Sequence, residues 1–137
     1  MRIMAIDYGD AHTGIAISDP TGLLAGFTTV INSRRQEVVV EQVTLLAKEH
    51  GAEELVLGHP VNMDGTLGPR SEKAKAMKAL LEATALPVVL WDERRTTIDA
   101  HNILFNSGKN AKQRKKVVDA VAASLILEGY LTFKKSH

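Results

Sequence analysis

The chain has 137 residues, 45% of them hydrophobic and 24% charged, with a net charge of +1. That is enough for one compact domain over residues 1–137 with a sizeable core. With no cysteine, disulfides and thiolate metal sites are excluded, which fits a reducing cytoplasm. No apolar run approaches the roughly 20 residues that cross a bilayer, Met1 to Ile6 is too short for a signal-peptide core, and the net charge alone does not mark a nucleic-acid binder.

In chain order, the first third reads as three strands. Ile3 to Asp7, Gly14 to Ser18 and Phe27 to Ile31 are apolar runs with β-branched residues that favour extended backbone. Asp7-Tyr8-Gly9-Asp10 and Asp19-Pro20-Thr21-Gly22 supply turns between them. Short connections predict an antiparallel meander. The period then changes. Val39, Val43 and Leu46 recur at helical spacing between about Arg35 and His50, although the run Val38-Val39-Val40 disfavours a helix, and Gly51 suits its C-terminal cap. A short strand follows from Glu54 to Gly58, then a loop of turn formers, Pro60 to Gly65. A helix from about Pro69 to Thr84 carries Ala74, Met77 and Leu81 on one face. Pro87 to Trp91 reads as the fifth strand, and helices over about Thr96 to Asn106 and Ala111 to Leu131 close the chain. Strand–helix–strand connections imply right-handed crossovers and parallel pairing. The expected architecture is α/β: a mixed five-stranded sheet, a three-strand meander followed by alternating α and β, with helices on both faces.

Three places could carry chemistry. Asp7 ends the first strand, the kind of position where α/β sheets bind ligands. An aspartate there also suits an ordinary turn, but Gly9 and Gly14 keep side chains away from it, so a metal and a phosphate could approach. Trp91-Asp92-Glu93-Arg94-Arg95-Thr96-Thr97 places two carboxylates beside two arginines at another strand end. This is a surface ion-pair cluster with a threonine helix cap, or a site. Asp92 and Glu93 alternate, so only one shares a face with Asp7. Asp119 lies in the last helix beside an alanine-rich apolar stripe. It either pairs with Lys115 one turn away or ligates a cation, since a carboxylate beside apolar surface is expensive to bury alone. Together the three describe a hard-cation site: Mg²⁺ takes oxygen ligands from one or two carboxylates, water and substrate phosphate. The stretch from Lys109 to Lys116 holds five cations and no anion, suited to phosphate contact.

Five blocks, in order, resemble the YqgF/RuvX family, which is related to RuvC-type Holliday-junction resolvases and named for cleavage of pre-16S rRNA. They are Met1 to Gly9, Gly14 to Pro20, Gly58 to Gly65, Trp91 to Thr97 and Lys115 to Ala123, spread over roughly Met1 to Leu131. The resemblance implies a ribonuclease H-like fold and a metal-dependent nuclease with Mg²⁺ or Mn²⁺ held by Asp7, Glu93 and Asp119. It favours Glu93 over Asp92. Arg94, Arg95, Lys115 and Lys116 would contact phosphates, and Asn62 would lie in a substrate-facing loop. Two departures stand out. Asp10-Ala11-His12 replaces a common Thr-Lys pair, making Asp10 an extra ligand or a turn residue, and His59 replaces a common leucine.

Backbone contacts carry no substrate identity, so structured RNA and branched DNA both remain open as partners. A resolvase would act as a two-fold homodimer. Only 4% of residues are aromatic, so base stacking cannot dominate binding. Two other classes also stand: the Asp7-x-Gly9 hairpin resembles the phosphate loop of actin-like ATPases and sugar kinases, and the chain could be a non-catalytic nucleic-acid-binding module. No membrane partner is expected.

Overall fold

The first three strands pair as a meander: β1 (Arg2–Asp7), β2 (His12–Ser18) and β3 (Ala25–Asn32). β1 is antiparallel to β2, and β2 to β3. The architecture comes from a computed structural model that describes residues 1–21, 25–60, 67–92 and 111–136, with side chains of the last segment from Ala120 to Lys134. After the meander come α1 (Gln36–His50), β4 (Ala52–His59), α2 (Pro69–Leu81), a single 3₁₀ turn (Glu82–Thr84), β5 (Val88–Asp92) and α3 (Ala111–Ser136). β4 joins β1 in parallel and β5 joins β4 in parallel, giving the order β3-β2-β1-β4-β5. The expected mixed five-stranded sheet is therefore present. Of the loop expected over Pro60 to Gly65, residues 61–65 lie outside the described residues, as does the helix expected over Thr96 to Asn106.

The period-2 alternation of β1 divides the core between two faces. Met4 and Ile6 point to one side, where α1 and α2 cover them with Val39, Val43, Ala47, Met77 and Leu81. Ile3 and Ala5 point to the other, where α3 covers them with Ala123, Ile126, Leu127, Tyr130 and Leu131. α1 forms despite its three consecutive valines because Val39 and Val43 are fully buried; packing outweighs the small propensity penalty of β-branched residues. Gly51 caps it in the left-handed region (φ 69°), where a side chain would be strained. α3 lies across β2, β1 and β3. Its buried positions 122, 123, 126, 127, 130 and 131 recur at the spacing of one helical stripe. Among the described residues, no helix is long and apolar enough to cross a membrane.

Candidate nucleic-acid and metal site

The carboxyl ends of β1, β4 and β5 lie side by side along one edge of the sheet. Asp7 ends β1 and is half-buried. Its parity is that of Ile3 and Ala5, so it belongs to the α3 side. Its register partner on β2 is Gly14. On the opposite flank, one residue beyond the Ile6–Leu57 pair, stands Gly58 of β4. Asp7 thus has a glycine on each neighbouring strand, so neither of these two positions places a Cβ next to it. The turn that follows is tight: a Cβ on Gly9 would run into the carbonyl oxygen of His12. That contact, rather than φ, explains the glycine there.

Asp92 pairs in register with His59. On β5, Trp91 belongs to the α3-side cluster, so Asp92 has the opposite parity to Asp7. With β4 between them, the ends of β1 and β5 are about two strand spacings, or roughly 10 Å, apart. On α3, Asp119 stands four residues before Ala123 and seven before Ile126, a register position on the stripe that meets the sheet. The side chains of Asp119, Lys115 and Lys116 are not among those described, and Glu93, Arg94, Arg95 and Asn62 lie outside the described residues. Among the described residues, no group of three or more His, Asp or Glu side chains could hold a metal. A set completed by Glu93 and Asp119 extends beyond those residues.

The two departures in the sequence have structural partners. Asp10 accepts a 2.7 Å hydrogen bond from Lys73 Nζ on α2, 63 residues away. That bond first, then the Lys73 charge, with Arg70 and Arg34 adding, holds the Asp10 carboxyl below the usual carboxylate range. His59 shares a 2.6 Å hydrogen bond between Nε2 and the hydroxyl of Ser71, which is fully buried at the start of α2. Its role is to pin the first turn of α2 to the end of β4.

Beside Asp7, on the other side of the edge, residues 8–12 and Arg34, Arg70 and Lys73 line an open cleft of about 380 Å³. Two bonds hold its walls. Ser33 donates its backbone N–H to the Ala11 carbonyl at 3.0 Å, and His12 Nδ1 lies 2.7 Å from Asn32 Oδ1. They tie the β1–β2 turn to the segment carrying Arg34. Sequence reasoning did not single out these three basic residues. The i, i+3 spacing of Arg70 and Lys73 on one helix face was a usable signal; the approach of Arg34 was not visible without the fold.

A five-stranded sheet of this order, opened by an antiparallel hairpin and covered on both faces, defines a ribonuclease H-like domain. The chain of Thermus thermophilus RuvC solved in complex with Holliday junction substrate shares that fold at a TM-score of 0.63 and 14% identity, over 98% of this chain and 96% of that one. The family model described as RuvX, Holliday junction resolvase, matches residues 1–133, and the chain belongs to that nuclease family. A relative from Halothermothrix orenii is 43% identical over 98% of this chain and 96% of its own length. One from Listeria monocytogenes is 45% identical over 96% of this chain and 97% of its own. Both carry the name "Putative pre-16S rRNA nuclease".

Proposed function

We propose that the chain, acting as one domain over residues 1–137, hydrolyses phosphodiester bonds in structured RNA, in the processing of the 5′ end of pre-16S rRNA in the cytoplasm. Asp7, Glu93 and Asp119 form its Mg²⁺ or Mn²⁺ set. The observation that carries the chemistry is Asp7: a carboxylate at the carboxyl end of an interior strand with a glycine on either flank. This suits a hard cation, which needs oxygen donors and room for water and phosphate. The names of the full-length relatives support RNA as the substrate.

Parity supports Glu93 over Asp92. Odd positions of β1 and β5 belong to the α3 side with Asp7, and 92 is even, which counts against Asp92. Helical register supports Asp119, which shares the stripe of Ala123 and Ile126. Divalent ions bound by these carboxylates would supply an activated water and neutralise charge on the phosphate. The protein's own contribution is placement. Asp7 is fixed by β1, and the glycines beside it admit the phosphate. Arg94, Arg95, Lys115 and Lys116 hold neighbouring phosphates, and Asn62 is assigned to substrate contact, without reading bases.

Branched DNA is the second reading, favoured by the description of the matching family. It requires a homodimer, since paired cuts need two-fold symmetry. The test is a cleavage assay on a pre-16S rRNA fragment and a four-way DNA junction, each with Mg²⁺, Mn²⁺ or chelator. Asp7→Asn should slow cutting roughly a hundredfold or more, the scale of losing metal-centred charge stabilisation, while retaining binding. Wild-type cutting by Asp7→Asn ends the carboxylate assignment. Symmetric cutting of the junction with the RNA left intact selects the second reading.

A further inference from the structure

We propose that the cleft walled by Arg34, Arg70 and Lys73 is a phosphate track for the nucleic-acid backbone next to the cleaved position, and that Asp10 tempers it by competing for Lys73. The proposal rests on the nuclease reading above. It adds to that reading a binding surface on the α1–α2 side of the sheet edge, made of residues that reading does not use.

Three cations from two distant segments meet one carboxylate there. Arg34 precedes α1, while Arg70 and Lys73 occupy the first turns of α2. Nothing in the hydrophobic core requires this meeting, because all three are exposed. The convergence is nevertheless fixed, through the Ser33–Ala11 and His59–Ser71 bonds. The cleft floor is the turn Tyr8–Gly9, immediately after Asp7. A backbone that delivers a phosphate to Asp7 and continues past the end of β1 therefore runs into it. Successive phosphates on one strand of a duplex advance by about 3.4 Å along the axis, so neighbours of the attacked phosphate fall within the reach of Arg and Lys side chains.

The Lys73–Asp10 pair is the adjustable part. Its side chains are 51% and 68% exposed, and so solvated a pair gives little stability. An incoming phosphate can take Lys73 from Asp10. Arg34 and Arg70 can each make the forked, charge-assisted contacts that suit phosphate oxygens.

The experiment measures binding to a fluorescein-labelled structured RNA hairpin and to a four-way DNA junction, in chelator, over a series of salt concentrations. Three variants are compared with wild type: R34Q/R70Q, D10N, and K75Q/K78Q, the last removing two cations of α2 that do not line the cleft. R34Q/R70Q should weaken binding roughly tenfold and reduce the slope of log affinity against log salt by about 2, near 1 per lost phosphate contact. D10N should bind more tightly than wild type. K75Q/K78Q should leave the slope near the wild-type value. Loss on one probe alone identifies the nucleic acid that the track accepts. Equal slopes for R34Q/R70Q and K75Q/K78Q, weaker binding by D10N, or no binding by wild type to either probe overturns the proposal. Its failure is separable from failure of the catalytic reading: normal cutting by D7N with weakened binding by R34Q/R70Q removes the carboxylate set and leaves the track standing.

Discussion

Ile126→Ala tests whether α3 is seated on the sheet as described. Ile126 is fully buried, in a cluster with Ile3, Ala5, Ala16 and Val56 of the sheet. The substitution removes three carbon groups. At about 0.8 kcal/mol each, their transfer alone is worth about 2.4 kcal/mol. The unfilled cavity brings the expected loss to about 3 kcal/mol, inside the range of about 2–5 kcal/mol for such truncations. With a urea slope of about 1.5 kcal/mol/M, the unfolding midpoint should fall by about 2 M with the slope unchanged. Met77→Ala, on α2 and equally buried on the opposite face of the sheet, should lose a similar amount. The two should part in function. Asp119 lies two turns before Ile126 on the same stripe, so at a low temperature where both variants are folded, I126A should cut substrate more slowly than M77A. A midpoint shift below about 0.5 M for I126A would mean that α3 does not bury this residue, and the argument from helical register to Asp119 would fall with it.

Two left-handed positions should respond with opposite signs. Gly51→Ala puts a Cβ at φ 69° and should destabilise by about 1 kcal/mol. Ala85→Gly relieves a non-glycine residue at φ 65° and should stabilise by about 0.5–1 kcal/mol, both read from urea midpoints; shifts of the same sign would refute the backbone account. Tyr130 supplies a pH test. Burial, and then the hydrogen bond and charge of Glu54, push its phenol up to about 12. The neutral form is the one the fold favours, so its contribution to stability is complete below about pH 10 and is lost as pH rises through about 12. An ultraviolet titration should show a late phenolate step that Tyr130→Phe removes; a late step surviving in that variant would assign it to another group.

The strands and helices were largely legible because their signals are local. The stripe Ala74, Met77 and Leu81 was readable as a helix face, and all three are buried. The end of that helix was not. The pattern predicts helix to Thr84, but the α-helix stops at Leu81. There the Thr84 hydroxyl donates to the Leu81 carbonyl at 2.7 Å and accepts from the Leu86 N–H at 3.2 Å, a local bonding choice that competes with continued helix. β2 begins at His12 rather than Gly14 because His12 pairs with Asn32 across the hairpin, a partner that strand periodicity does not reveal. Within the site, Asp7 and its glycine on β2 could be read from the chain, since a strand end and a tight turn are adjacent in sequence. The glycine on its other flank, Gly58, needed the parallel pairing of β1 with β4. The basic cleft needed more: Lys73 meets Asp10 because α2 is docked on the sheet through Ser71, Ala74, Met77 and Leu81.

β1 is paired on both sides, by β2 and β4, and its residues from Ile3 to Ile6 are almost wholly inaccessible to solvent. Amides in such a strand exchange with deuterium only when the whole domain opens, so they report the global unfolding free energy rather than local fraying. Asp7 ends that strand and still pairs with Gly14 of β2, so displacing its backbone would pull on the protected ladder behind it.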